Sequence, residues 1–150
     1  MVRKIVMLVT ATALLLGFTS VSDQLKAQMV KLPHHYAQFD IKMGWSVTTG
    51  NNATTIDGII QNVRYATMED IEVWVSVSDA KGTVLARSVA YIIPNRLDRD
   101  DSAPFTVKLP LAVSATTKLL FTYKYTGADG GSMDGGVTNW MQSFETTPGN

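Results

Sequence analysis

Ile71-Glu-Val-Trp-Val-Ser-Val-Ser-Asp-Ala-Lys-Gly82 is the stretch that decides how this chain folds. Ile71, Val73, Val75 and Val77 alternate with Glu72, Trp74, Ser76 and Ser78, the period of two that a strand shows when one face is buried and the other open. On that count Trp74 points outward. Residues 79–82 form a tight turn, because an Asp79 carboxylate bonds the backbone ahead of it and Gly82 accepts a positive φ. Residues 83–93 then return as the second strand of a hairpin. Pro94 ends it, having no N–H to give a ladder.

The same pattern continues on both sides. In Ile56-Asp-Gly-Ile-Ile-Gln-Asn62, Ile56, Gly58, Ile60 and Asn62 share a face, and a glycine in mid-strand predicts a bulge or a close approach by a neighbouring segment. Residues 64–70 read as a connection. Upstream, Phe39, Ile41, Met43, Trp45 and Val47 alternate, and Gly50, Asn51 and Asn52 give the following segment turn composition. Downstream, residues 95–103 read as a charged loop, and Phe105, Val107 and Leu109 alternate up to Pro110. Leu119, Phe121, Tyr123 and Tyr125 make one face of a further strand. Residues 127–136, with five glycines and two aspartates, read as a flexible loop. The last strand spans 137–145, with Trp140, Gln142 and Phe144 on one side. Seven strands separated by turn signals predict an all-β fold over residues 36–146, a two-sheet sandwich in preference to a small barrel.

The beginning of the chain differs. Arg3 and Lys4 precede an apolar run from Ile5 to Phe18, and Ser20 and Ser22 give the small-x-small pattern of a secretory leader, so residues 1–22 are expected to be a signal peptide. Ala27 is a second cleavage point. The run is shorter than the roughly twenty residues of a spanning helix, and the alternative is an uncleaved anchor of the same polarity. Residues 23–35 are then a tether, with a short helix as an alternative over residues 23–30. In both cases the rest of the chain is expected to lie outside the cytoplasm, secreted, periplasmic or at the cell surface.

Composition narrows the function classes. With 45% apolar and 17% charged residues, a packed core is expected. Thirteen basic residues face thirteen acidic ones; losing Arg3 and Lys4 leaves eleven against thirteen, a net of −2. Such a balance, without a Lys/Arg cluster, gives no electrostatic footprint for nucleic acid. Cysteine is absent, which excludes disulfides, thiolate zinc sites and a cysteine nucleophile.

Gly58-x-Ile60-x-Asn62, the valine-rich strand ending in Asp79-x-x-Gly82, and Leu97 with the polar loop into Ala103-Pro104-Phe105 together resemble the FxLYD-type domain. The resemblance spans about residues 54–110. The motif behind the family name falls on residues 75–79, where Asp79 is kept. What it implies is an immunoglobulin-like antiparallel β-sandwich in an exported or membrane-anchored prokaryotic protein, with no enzymatic activity and no cofactor.

No motif argues for catalysis or metal binding. His34 and His35 are the only histidines, and neighbours on a strand point to opposite faces, so they cannot clasp one metal without a bend. No Gly-x-Ser-x-Gly elbow offers a nucleophile. Asp98, Asp100 and Asp101 lack EF-hand spacing. The glycine-rich loop lacks the Lys-Ser/Thr ending of a phosphate-binding loop. Exposed aromatics are the better candidates: Trp74, and whichever of Trp45, Tyr91 and Trp140 face outward, offer large contact area at low entropic cost. They suit a protein partner met at an exposed sheet edge or on the open face around Trp74. The alternative is a carbohydrate stacked on the same rings.

Overall fold

The computed structural model describes residues 20–128 and 137–149. The expected leader or anchor at residues 1–19, and most of the glycine-rich loop, lie outside them. In chain order the elements are α1 (Val21–Met29), β1 (His34–Ala37), β2 (Ile41–Thr49), β3 (Thr54–Asn62), β4 (Thr67–Ser78), β5 (Val84–Tyr91), β6 (Arg96–Leu97), β7 (Ser102–Leu109), β8 (Leu119–Ala128) and β9 (Val137–Thr146). The seven strands expected from alternation are all present, and β1 and β6 are two short additions.

Two antiparallel sheets face each other, one ordered β1-β2-β3-β7 and the other β5-β4-β8-β9 with β6 attached to β4. The chain changes sheet three times, between β3 and β4, between β6 and β7, and between β7 and β8. That is the Greek-key arrangement A-B-E against C′-C-F-G of immunoglobulin-like sandwiches, with β1 added beyond the first strand. Alternation fills the space between the sheets. Ile41, Met43 and Trp45 enter from one, Val73, Val75 and Phe121 from the other, all buried. Gly58 pairs with Phe105 in unbroken register, and a Cβ there would overlap the Phe105 ring. Of the two readings of that glycine, close approach is the correct one.

Two connections read from the sequence are in fact strand. Residues 67–70 belong to β4, where a register shift between Glu69 and Glu72, with Asp70 at φ 50°, puts both Met68 and Ile71 in the core. The bulge breaks the alternation, so the strand's first turn does not show. The charged segment 95–103 holds β6 and the start of β7. Pro104 sits inside β7 without cost to the ladder, because among the described residues β7 pairs only with β3 and its other side is an edge.

Residues 23–35, expected as a tether, contain most of α1 and the beginning of β1. Ser20 caps α1, its Oγ accepting from Asp23 N at 3.1 Å. The helix packs on β7, β3 and β2 across the outer face of the four-stranded sheet. Met29 fits over Gly44, where a Cβ would come within 2.8 Å of both the Met29 Cγ and its carbonyl oxygen. Ile59, Gln61 and Ser102 point outward by parity yet are buried. Helix α1 covers one outer face of the sandwich.

Candidate functional site

The outer face of the five-stranded sheet has no such cover among the described residues. Register places its side chains in rows: Tyr91, Glu72, Lys124 and Met141 in one, and Val89, Trp74, Thr122 and Ser143 in the next. A third row carries Arg87, Ser76, Leu120 and Glu145. Tyr91 and Met141 are 67% and 68% exposed and Leu120 is 37% exposed. Trp74, half-buried, occupies the middle. Its Nε1 donates to Glu72 Oε2 at 2.6 Å, and the Lys124 ammonium lies 5.2 Å from the ring centre. These contacts hold the indole in place on the sheet. A shallow groove of about 260 Å³ runs beside it, bounded by Arg87, Leu120, Thr122, Lys124 and Met141. A fixed aromatic plate with apolar rims and two cations can bind by contact area and charge. No nucleophile paired with a base lines it.

The four aromatic candidates do not converge. Trp74 and Tyr91 share the outer face. Trp45, 2% exposed, is a core residue and not a surface contact: it shares the parity of Ile41 and Met43 and packs between His34 (5.6 Å, stacked) and Phe121 (4.9 Å). Trp140 belongs to the inner face of β9. There it stacks on Tyr125 at 6.3 Å, under the Arg64 guanidinium at 4.3 Å. Gly127, on the neighbouring strand, leaves room for that indole.

The other constellations are absorbed into the fold. His34 faces the core and His35 the opposite side, where its Nε2 lies 2.9 Å from the Met29 carbonyl oxygen. Asp98 Oδ1 accepts from Thr67 Oγ1 and from Arg96, and these bonds hold its carboxyl below the usual carboxylate range. Asp101 Oδ2 accepts from Asp98 N. Among the described residues, no three His, Cys, Asp or Glu side chains cluster to hold a metal ion.

One cluster was not anticipated. Asp40, buried at the turn into β2, accepts from Ile41 N (3.0 Å), from the Tyr123 hydroxyl (2.9 Å) and from the Tyr125 hydroxyl (2.9 Å). It ties the first sheet to the middle of the second. Burial pushes both phenols well above the ordinary tyrosine range; the Asp40 charge adds to the rise at Tyr123, and Arg64 offsets part of it at Tyr125. The signal was in the sequence. Tyr123 and Tyr125 share the parity of Leu119 and Phe121, so their hydroxyls enter the core and require an acceptor there. Asp40 is the acidic residue beside the first core strand.

No protein-family model matches the chain, and no curated protein sequence matches it. Among solved structures it is similar to the GAE domain of GGA2p from Saccharomyces cerevisiae, at 11% identity and a TM-score of 0.48 over 77% of this chain and 96% of that one. It is similar also to the GAE domain of yeast GGA1, at 10% identity and a TM-score of 0.49 over 76% and 96%. A third is a DUF4426 family protein from Pseudomonas aeruginosa PAO1, at 14% identity and a TM-score of 0.40 over 77% and 97%.

Proposed function

We propose that the chain is an exported, non-catalytic sandwich module that works by protein contact in the cell envelope or at the cell surface, through the outer face of its five-stranded sheet. The observation that carries this reading is the placement of Trp74. An outward tryptophan is held in one orientation by Glu72 and Lys124, with exposed Tyr91, Leu120 and Met141 around it. A fixed aromatic anchor inside a ring of smaller apolar contacts is how hot spots of protein interfaces are built. The export half of the proposal rests on the charged, apolar and small-residue order of residues 1–22. The FxLYD-type resemblance of residues 54–110 agrees with it.

A carbohydrate is the weaker occupant, since Lys124 already lies over the ring that a sugar would stack on. Capture from the envelope fraction separates the readings. The wild-type chain is expected to retain a protein partner that Trp74→Ala, with an unchanged circular dichroism spectrum, does not. Retention of the same partner by Trp74→Ala, or capture of none, contradicts the proposal. Glycan-array binding lost with that substitution would replace it with the carbohydrate reading.

A further inference from the structure

A sandwich of two open sheets has four edge strands, and each presents unpaired backbone groups that another strand can join unless something guards them. Three are guarded here. β1 is four residues long. β7 carries Pro104 and Lys108, and α1 packs on it. β5 packs against β7 across the open side of the sandwich, carries Arg87, and meets a bulge at Val77 and Ser78 of its neighbour. β9 has none of these devices. Its ten residues pair with β8 in unbroken register from Val137 to Thr146, and among the described residues nothing pairs with its other side. It contains no proline, lysine or arginine, and Glu145 is its one charge. No residue of it is buried.

We propose that β9 is a homodimerisation edge: two copies of the chain pair β9 against β9, antiparallel, about a two-fold axis at Met141, so that their five-stranded sheets become one. The sequence of the strand selects a second copy. Centring the pair on Met141 keeps outward residues outward and inward residues inward, which a one-residue slip would not. On the outer face Met141 meets its own copy, Asn139 meets Ser143, and Val137 meets Glu145. On the inner face Trp140 meets Gln142 and Thr138 meets Phe144. Thr138 with Phe144 is an aromatic–β-branched pair of the kind that stabilises a ladder, and none of the pairs sets like charges opposite each other. The two Glu145 carboxylates stand about 27 Å apart, eight residues at about 3.4 Å each, well beyond a Debye length of about 8 Å. A foreign strand would be chosen by charge or by side-chain pockets, and an edge with one terminal carboxylate offers neither.

Met141 also rims the Trp74 groove, so the test uses the purified chain alone, where self-association is read without any partner of that face. Light scattering after size exclusion is expected to give a dimer that dissociates on dilution. Met141→Lys and Met141→Glu, each placing like charges together at the axis, are expected to weaken association roughly tenfold or more, and mixing the two variants restores a heterodimer. A second readout uses the absence of other cysteines. On mild oxidation Met141→Cys cross-links to its copy and Glu145→Cys does not, while Trp74→Ala stays dimeric. A wild-type chain that is monomeric up to about 1 mM, charge variants that remain dimeric, a mixture that stays monomeric, or equal cross-linking at positions 141 and 145 would each overturn it.

Discussion

The two outer faces of this sandwich have been treated in opposite ways. On the four-stranded sheet Gly44 removes a side chain so that Met29 can sit against the backbone, and α1 buries Ile59, Gln61 and Ser102. On the five-stranded sheet the equivalent positions carry Trp74, Leu120, Tyr91 and Met141, and no described element covers them. An antiparallel sheet tolerates one wet face, so leaving this one open costs the fold little. Isolated exposed apolar residues need no explanation, and it is their clustering around a fixed tryptophan that the proposed interaction surface rests on.

Substitutions can break that comparison or sharpen it. The largest effect is expected in the interior that both faces share. Asp40→Ala strands two buried tyrosyl hydroxyls and the Ile41 amide, and should cost about 4 kcal/mol in chemical denaturation. A loss below about 1 kcal/mol would mean that the cross-sheet tie contributes little. Gly44→Leu drives a side chain into Met29 and its carbonyl, and is expected to cost about 3 kcal/mol and to displace α1. Hydrogen exchange should then show Ile59 and Gln61 losing protection while β8 keeps its own. On the open face, Trp74→Ala removes a half-buried ring from the surface, and should change stability by no more than about 1 kcal/mol while abolishing partner capture. If Trp74→Ala costs as much as Gly44→Leu, the face is structural and the comparison fails.

Much of this architecture was legible in the chain because alternation survives wherever a strand runs straight. Ile71 to Val77 gave β4, and Asp79 with Gly82 gave its turn: Asp79 Oδ1 accepts from Lys81 N and Thr83 N, and Gly82 takes φ 85°. What the chain concealed has physical causes. The bulge at Asp70 moves the buried parity from even to odd, so residues 67–70 do not look continuous with β4. Pro104 disguises an edge strand. α1 is polar along most of its length; its one buried side chain, Met29, sits against a glycine on another element, and Ser22 Oγ donates to the Asp100 carbonyl. For the candidate site, the outward parity of Trp74 was readable, and the core parity of Trp45 was equally readable from Ile41 and Met43. The joining of Tyr91 to the Trp74 face depends on the β4–β5 register, which the sequence of either strand alone does not contain.

Because the chain has no cysteine, single thiols report facing without interference. Ile59→Cys and Leu120→Cys both sit at outward positions, one on each sheet, and Phe121→Cys gives the buried control. A covered four-stranded face and a bare five-stranded one predict fast labelling at 120 and slow labelling at both 59 and 121. Equal, fast labelling at 59 and 120 would show that the helix covers nothing, and a protected 120 would show that the proposed binding face is closed.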